Sequence, residues 1–583
     1  PWSVSGRASL DGEVGGFALT SSESTGATLP IRLRIEPDAR PFDVSLEGEL
    51  ALEDGRPIYK GQFLSVWKEA NATAAADAPA VAPGPRLRGA FELTNESVVI
   101  PSYRLELGEV ADPYVITGEA KLDTGAKPEF LLTAEGQQVD VNRLAADGSR
   151  AKTARNGATS LQQRLALLLQ TAAKIPVPNV PGRATLKLPA ILAGDTVFRD
   201  IQLDVRPAGA GWTIDRAVAV LPGRTQVEAS GRLMLGDAPS FDGNLLVAST
   251  QPSGLATWIS GKVDPAIRQL RSAGFSATVN LTPELQRFEK LEVAVGDEPL
   301  KGRLERESPM GSAASLSVDL SGAGLDLDAA RAIAALVIGE DAERSLLAER
   351  IAARLKLDRL TAFGVDIGNV DSIVSYEGER ISIERMKLGN LAGASLDISG
   401  VLGLSAGVFD SEGRVLLRSK DPSAFLALLG DRFPGRPLLT GLAASAGWYA
   451  DTDMALDVAL DGRGGLRVTG GGRTNGSSAT LTLTAPTLSA LMTGAGRNVE
   501  MSLANDEAQV LMGQAGLAPL PWPIGEGGRL GLVMKGADAR MADVEINFDG
   551  ARSKLAANGR LTAVNGQHPL DGAWGVSVES GDL

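Results

Sequence analysis

The sequence predicts a mainly β, repeating antiparallel fold with a few short helices, and three observations support this prediction. The stretch from Arg216 to Gly261 returns in nearly the same order from Glu384 to Gly430. Apolar and polar residues alternate with period two in many short segments, which is typical of a strand with one face in water. Turn dipeptides such as Asp54-Gly55 and Asn565-Gly566 separate these segments, as in antiparallel hairpins.

Both copies of the repeat follow one order: an apolar strand, a glycine turn, a strand ending in Ser-Gly-x-Leu, a polar turn, a further strand and a leucine-rich helical turn. The Gly-x-Leu-like element recurs outside these copies, at spacings of about 70 to 110 residues. Because the spacing between these elements varies, it predicts a stacked array of repeats with insertions between some of them. The element begins at Gly48, Gly118, Gly231, Gly302, Gly400, Gly472 and Gly559.

A chain of 583 residues is too long for a single hydrophobic core. We predict β repeats at 1–158, 179–325 and 358–583. Apolar side chains at helical spacing predict an amphipathic helix with a proline-rich linker at 159–178 and a helical insertion at 326–357. Short helical turns at 263–274 and 422–430 begin with Asp or Pro, which favour the first positions of helices.

Composition excludes several classes of function. The net charge is −14 and no long run of Lys and Arg occurs, which argues against a nucleic-acid partner. The absence of cysteine excludes disulfides and thiolate metal sites. No window has the roughly 18 apolar residues of a bilayer span. Because the chain opens on Pro1-Trp2, we expect it to be a piece of a longer protein whose membrane anchor lies elsewhere.

The candidate chemical sites each have a simpler interpretation. The single histidine, His568, lies in a turn without a second ligand or a cysteine nucleophile. The pairs Asp326 with Asp328 and Asp451 with Asp453 could bind calcium but lack a full calcium loop, so we interpret them as a helix cap at Asp328 and an acidic turn. The glycines at 462–465 and 470–472 lack the Lys-Ser/Thr of a phosphate loop and are interpreted as hairpin turns and a β-bulge. We therefore predict a protein that is not an enzyme, with no catalytic residues, metal or cofactor.

The apolar face of the strands is the remaining candidate site. Such a face must be buried by a second sheet, by closure into a barrel or by an apolar ligand. From the residues alone, an ordinary core between two sheets and a binding surface stay almost equally open. The residues that we assign to this face are Phe42, Val44, Leu46, Leu50, Leu52, Leu233, Leu235, Leu316, Val318, Leu320, Leu402, Leu404, Leu456, Val458, Leu460 and Leu561.

Two passages carry a family resemblance. Residues 175–233, which include VPGRATLKLPAILAGDTVFRDIQLDVRP and GWTIDRAVAVLPGRTQVEASGRL, and residues 375–404, SYEGERISIERMKLGNLAGASLDISGVLGL, resemble the AsmA family of envelope proteins of double-membraned bacteria. The likeness covers most of the chain and consists of turn and packing signals. It implies an elongated repeating β-groove, in which a long twisted antiparallel sheet curls into an open hydrophobic trough, as in TamB and the eukaryotic bridge-like lipid transfer proteins. The full-length pattern includes an N-terminal membrane helix, which we expect to lie outside this sequence.

The resemblance implies a periplasmic protein, anchored to the inner membrane, that carries phospholipids toward the outer membrane and supports outer-membrane biogenesis. Acyl chains would lie on the apolar face, and the helices near 159–174 and 328–357 would cover part of the groove mouth. Phospholipid acyl chains, the inner membrane and an outer-membrane protein are the expected partners. Two alternatives stay open: an assembly factor or chaperone for outer-membrane or surface proteins, and a β-solenoid adhesin or glycan-binding array.

Overall fold

The structure, a computed structural model, confirms a mainly β fold, because strands hold 69% of the described residues and helices hold 11%. Contacts between residues divide the chain into two units, Pro1–Asp297 with Arg331–Arg344, and Glu298–Ala330 with Ser345–Leu583. The described residues are 1–10, 13–23, 26, 28–67, 85–108, 110–140, 177–193, 196–236, 238–296, 298–338, 348–403, 411–434, 437–461, 464–487, 490, 496–517, 526–536, 541–550, 552–562 and 573–580.

The first unit contains seventeen described strands, most of which pair with the next strand in antiparallel register. Among the described pairings none joins the first strand to the last, so this sheet is open. The strands are β1 (Trp2–Leu10), β2 (Glu13–Ser21), β3 (Leu29–Pro37), β4 (Phe42–Glu53), β5 (Arg56–Trp67), β6 (Arg86–Leu93), β7 (Ser97–Leu107), β8 (Tyr114–Asp123), β9 (Glu129–Gly136), β10 (Gln138–Asp140), β11 (Gly182–Ala193), β12 (Thr196–Ala208), β13 (Gly211–Leu221), β14 (Thr225–Met234), β15 (Ser240–Ser249), β16 (Ala273–Leu281) and β17 (Leu285–Val295).

The second unit continues in the same manner and is likewise open within the described pairings. Its strands are β18 (Pro299–Glu307), β19 (Ser315–Asp326), β20 (Arg350–Ala362), β21 (Val365–Glu377), β22 (Arg380–Leu391), β23 (Ala394–Gly403), β24 (Ser411–Ser419), β25 (Thr452–Leu460), β26 (Leu466–Thr474), β27 (Ser477–Ala485), β28 (Asn498–Glu507), β29 (Glu526–Gly536), β30 (Met541–Gly550), β31 (Ser553–Thr562) and β32 (Trp574–Ser580).

Short helices follow strands that end at one edge of their sheet. In the second unit β19, β24 and β28 run in one direction, so the described helices that follow them lie at the same edge. Within the described residues the helices with defined bounds are α1 (Pro252–Ser260), α2 (Pro265–Arg268), α3 (Leu327–Ile338), α4 (Ser423–Arg432), α5 (Pro437–Ala444), the 3₁₀ turn Ala446–Tyr449, and α6 (Ala508–Gln514).

Parallel pairing interrupts the antiparallel order in both units, which the sequence analysis did not predict. Strands β9 and β10 both pair in parallel with β11, and β19 pairs in parallel with β20. Parallel neighbours need a connection that returns the chain to the starting edge. The connection between β19 and β20 begins with α3, so the helical insertion predicted there serves as part of this return.

The insertion predicted at 326–357 is shorter than expected. Helix α3 ends at Ile338, and β20 begins at Arg350, so the prediction of helix for 350–357 is wrong. Ile351 and Leu355 suit one helical face, but with Ala353 and Leu357 they also alternate with period two, and pairing with two neighbouring strands decides for the strand. The helix predicted near 159–174 lies outside the described residues.

Two local predictions also need correction. The cap of α3 is Asp326, whose side chain accepts a hydrogen bond from the Ala329 amide at 2.9 Å, and Asp328 lies inside the first turn. The glycines at 470–472 lie within β26 instead of in a turn, opposite Met454 to Leu456 of β25. The Asp264 cap of α2 matches its prediction, because it accepts from the Ala266 amide at 2.8 Å.

The sequence repeat is a structural repeat. In both copies a serine at the end of the third strand donates to a glycine carbonyl in the turn between the first two strands: Ser249 to Gly223 at 2.9 Å and Ser419 to Gly393 at 3.0 Å. Helices α1 and α4 follow these serines. The repeating unit is therefore three antiparallel strands, a helix and a fourth strand that pairs with the third.

Candidate functional site

The two faces of the sheets differ in chemistry. On one face, oppositely charged side chains pair across neighbouring strands and are largely exposed, which suits a surface in water. Examples of these pairs are Arg32 with Glu47 at 2.5 Å, Lys60 with Glu92 at 3.5 Å, Arg206 with Asp215 at 2.6 Å, Lys387 with Asp397 at 3.7 Å, Arg414 with Asp457 at 3.7 Å and Arg560 with Asp543 at 2.8 Å.

The other face, which we name the apolar face, is continuous across strands because directly paired residues share a face. In the first unit Leu46 of β4 lies opposite Leu33 of β3 and Phe63 of β5. At the start of β4, the rings of the directly paired Phe42 and Trp67 lie 5.2 Å apart. Most of these side chains are half-buried, and Phe63 is buried.

The second unit repeats this arrangement. Leu456 of β25 lies opposite Val415 of β24 and Gly470 of β26, and Val458 lies opposite Gly413 and Val468. Leu456 and Val458 are half-buried, while their neighbour Asp457 is exposed on the charged face. The period-two pattern in the sequence is therefore expressed as one charged and one apolar face.

The predicted apolar residues mostly reach this face, but at different depths. Leu52 is 73% exposed because β3 begins opposite Leu50 and provides no neighbour beyond it. Leu402 is 37% exposed where the pairing of β23 with β24 ends, and Leu235 follows the end of β14. Leu404 and the side chain of Leu561 lie outside the described residues. Buried or half-buried are Phe42, Val44, Leu46, Leu50, Leu233, Leu316, Val318, Leu320, Leu456, Val458 and Leu460.

Glycines of the Gly-x-Leu element lie where two strands approach closely. Gly48 pairs with Gly61, Gly231 with Gly243 and Gly400 with Gly413. A Cβ on Gly231 would lie 2.2 Å from the carbonyl oxygen of Asp242, so a side chain has no room there. Both copies of the repeat therefore place a glycine pair at the same point of the apolar face, and at this pair the two strands carry no side chain.

Tyrosines cross the apolar face beside two of these glycines. The Tyr59 hydroxyl of β5 donates to the Ile31 carbonyl of β3 at 3.0 Å, and the Tyr103 hydroxyl of β7 donates to the Thr133 carbonyl of β9 at 2.6 Å. Burial raises the pKa of both phenols, so they remain protonated donors at neutral pH. Sequence reasoning missed these tyrosines, although their place in alternating strands was a usable signal.

Helices α1 and α4 each pack against a hairpin turn at the edge of their sheet. The Trp258 ring of α1 packs edge-on against Phe198 of β12 with centroids 5.8 Å apart. A Cβ on Gly223 of the β13–β14 turn would lie 2.4 Å from the Leu255 amide nitrogen, so α1 also lies directly on this turn. Likewise, Arg432 of α4 donates to the Phe363 carbonyl in the β20–β21 turn.

One part of the apolar face is fully covered. Side chains of α6 join the apolar face of β27 to β31 in a single buried cluster, in which Leu511, Met512 and Leu530 are at most 1% exposed. Sequence reasoning did not identify α6. The remaining described members of this cluster are Ala479, Val499, Leu503, Ala508, Met534, Ala542, Val544, Ile546, Phe548 and Ala557.

In each acidic pair that was considered for calcium, one side chain makes a different interaction. Asp326 caps α3, and Asp453 contacts Arg418 at 3.4 Å. Within the described part of the chain, no three acidic or histidine side chains converge as metal ligands would. His568 lies outside the described residues. In the described ranges, none of the helices has both the length and the hydropathy that crossing a bilayer requires.

Sequence and structure comparisons add no family to this description. Searches against protein-family models, curated proteins and solved structures found no match to this chain.

Proposed function

We propose that this chain is the periplasmic part of an AsmA-like protein that carries phospholipids between the inner and outer membranes along the apolar face of its sheets. The observation that supports this proposal most directly is the half-exposed state of that face. Leu46, Leu456 and Val458 are only half-buried, although the residues paired with them on the neighbouring strands are all apolar or glycine. A soluble protein rarely leaves a large continuous apolar surface without a ligand or partner.

The chemistry of the face suits acyl chains. Leu, Val, Ile and glycine form most of its rows, and each methylene group that is transferred from water onto them contributes about 0.8 kcal/mol. Because these side chains bind by contact area, one position resembles the next and a chain can slide along the face. The ion pairs on the opposite face keep the protein in water while the lipid is carried.

Polar headgroups would remain at the edges of the sheets, where the backbone turns and charged side chains meet water. The aliphatic surface does not select one headgroup, so we propose phospholipids as a class. We further propose that an anchor outside this sequence attaches the protein to the inner membrane and that an outer-membrane partner receives the lipid.

Native mass spectrometry of the purified chain tests the proposal. We expect several phospholipid molecules per protein after gentle detergent-free purification, and reloading from phosphatidylethanolamine and phosphatidylglycerol vesicles after delipidation. A ribonuclease A sample handled in parallel, which has no acyl-chain site, distinguishes bound lipid from carry-over. A lipid-free protein that also fails to reload would overturn the proposal. Unfolded outer-membrane polypeptides bound in place of lipid would instead support the assembly-factor alternative.

A further inference from the structure

Two phenylalanines of the second unit lie in water at the same edge of its sheet. Phe363 is at the tip of the β20–β21 hairpin and is 64% exposed, and Phe433 directly follows α4 and is 37% exposed. Among the described residues, these are the two exposed phenylalanines. Strands β20, β22 and β24 run in one direction, so the turn after β20 and the helix after β24 lie at one edge.

A hydrogen bond joins the two elements that carry these rings. The Arg432 guanidinium donates to the Phe363 carbonyl. The Phe433 amide donates to the Leu429 carbonyl at 2.9 Å, which fixes the backbone at the end of α4. The two rings and the guanidinium are therefore held at one small site, and we name Phe363, Arg432 and Phe433 the Phe corner.

The backbone at Phe363 is unfavourable for phenylalanine. With Gly364 it forms a two-residue hairpin turn, at φ +51 and +71. The same turn occurs at Asp54-Gly55 and Asn475-Gly476, where Asp and Asn tolerate a positive φ. A bulky side chain is disfavoured there, and a ring that is mostly in water gains little packing in return. The fold therefore gives no reason for phenylalanine at this position.

Helix α4 does not require an exposed ring either. It buries Phe425, which is 8% exposed, and turns only Phe433 to solvent. Counted from the equivalent prolines Pro252 and Pro422, the first copy of the repeat has Val263 at the position of Phe433, and Val263 is half-buried. The exposed ring is thus specific to the second copy.

The size and shape of the Phe corner favour a lipid bilayer over a protein partner. Two phenylalanine side chains offer at most about 500 Å², whereas a stable protein interface buries at least about 1,200 Å². A Cβ on Gly364 would meet no described atom within 4 Å, so the hairpin tip projects from its surroundings. A bilayer accepts single projecting apolar side chains without a matching surface, and its phosphates have the charge that attracts Arg432.

We propose that the Phe corner is a membrane-contact site, at which Phe363 and Phe433 insert among the headgroups and first methylene groups of a phospholipid bilayer. Arg432 holds the hairpin tip beside α4 and contacts lipid phosphate. This contact goes beyond the proposed function, because a chain can touch a bilayer without carrying lipid. It would set the edge of β20 to β24 against the membrane.

Flotation with phosphatidylethanolamine and phosphatidylglycerol vesicles tests the site. We expect the unmodified chain to float, and the double variant Phe363→Asn with Phe433→Ser to partition at least tenfold less. Phe363→Asn alone copies the Asn475-Gly476 turn, so it should weaken binding while the melting temperature stays equal or rises. Met310→Ser, at a 91% exposed position between β18 and β19 on the opposite edge, should change nothing. Failure of the unmodified chain to float, or equal flotation of the double variant, would overturn the site.

A fluorophore locates the contact. The chain contains no cysteine, so one introduced thiol can carry NBD at a chosen position. On Pro434→Cys, beside Phe433, NBD should brighten with vesicles and be quenched by doxyl-labelled lipid, whereas on Met310→Cys it should not respond. Because the net charge of the chain is −14, we expect an apolar contact to persist at about 0.5 M NaCl. Equal responses at both positions, or release by salt, would contradict the site.

Two further measurements separate this proposal from its neighbours. If sedimentation velocity without vesicles shows a dimer that the double variant abolishes, the Phe corner is a self-association contact and the membrane proposal fails. A phosphatidylethanolamine with a diazirine in one acyl chain reports lipid on the apolar face. If flotation depends on the two phenylalanines but no cross-links form on β23 to β26, the membrane contact stands and the proposed lipid function fails. Cross-links there, with flotation that ignores the double variant, would have the opposite meaning.

Discussion

Gly400 lies directly opposite Gly413 across β23 and β24, yet the two positions differ in the space that they leave for a side chain. Gly400 has φ +147, and a Cβ on it would lie 2.3 Å from the Glu412 carbonyl oxygen and 2.4 Å from the Gly413 Cα. A Cβ on Gly413 would meet only the Ser399 carbonyl oxygen, at 3.4 Å. The close approach of the two strands therefore depends on the first glycine of the pair.

This asymmetry predicts different effects of alanine at the two positions. Gly400→Ala must move a backbone and adopt an unfavourable φ, so we expect a loss of about 2 kcal/mol in unfolding free energy. Gly413→Ala meets an ordinary contact and should change stability by less than about 0.5 kcal/mol. Urea denaturation followed by circular dichroism measures both. Equal losses would show that the pair does not constrain the backbone as described.

Two charged residues on the apolar face should prevent lipid binding there and leave the protein folded. Replacement of both Leu456 and Val458 by Asp places carboxylates where acyl chains cannot solvate them. We expect at least a tenfold loss of lipid cross-linking on β23 to β26, with only a small change in melting temperature, because the half-open face admits water to the charges.

The matched control for these two residues lies on the opposite face of β25. Asp457→Asn with Ala459→Lys removes the exposed contact to Arg414, which is worth less than about 1 kcal/mol, and should leave cross-linking unchanged. Global unfolding of the double-Asp protein would identify the face as a closed core and count against the groove.

The buried serines of the two repeat copies should make equal contributions to stability. Ser249 and Ser419 are 2% and 6% exposed, and each satisfies a glycine carbonyl. Replacement by alanine removes this hydrogen bond, which costs about 1 kcal/mol, while the Gly223 carbonyl keeps the Gln251 amide as a second donor at 3.1 Å. We expect similar shifts in the urea midpoint for both variants and none for Ser321→Ala, which is exposed. A shift in one copy alone would contradict their equivalence.

Glu106 predicts a pH dependence of stability. Its carboxylate contacts Arg104 at 2.7 Å, Arg88 at 2.8 Å and Arg86 at 3.4 Å. The hydrogen bond from Arg104, together with the charge of Arg88 and the hydrogen bond from Arg86, lowers the pKa of Glu106 below its ordinary value of 4.5. This contribution to stability is complete above pH 4.5 and is lost as the pH falls through the lowered pKa.

Glu106→Gln should therefore lower the melting temperature at pH 7, because three guanidinium groups remain around a neutral side chain, and the difference from the unmodified protein should shrink on acidification below pH 4. Glu129→Gln, at an exposed position in β9, serves as the control and should show a much smaller difference at both pH values. An equal difference for Glu106→Gln at neutral and acid pH would contradict the assignment.

The sequence by itself determined the class of fold, the repeat and the two faces of the strands. These features depend on residues that are close in the chain: the alternation in Leu456-Asp457-Val458 places side chains on opposite faces in any strand, and Asp54-Gly55 favours a tight turn wherever it occurs. The repeat was visible because the same local geometry is built twice.

Only the tertiary structure decided which strands run in parallel, where β20 begins and which part of the apolar face is covered. Ile351 and Leu355 fit both a helix and a strand, and the hydrogen bonds to β19 and β21 select the strand. Leu456 and Leu530 have the same alternating pattern, yet one is half-buried and the other is closed under a cluster that includes α6. Burial depends on what packs against a residue from elsewhere in the chain, and a local pattern carries no record of that neighbour.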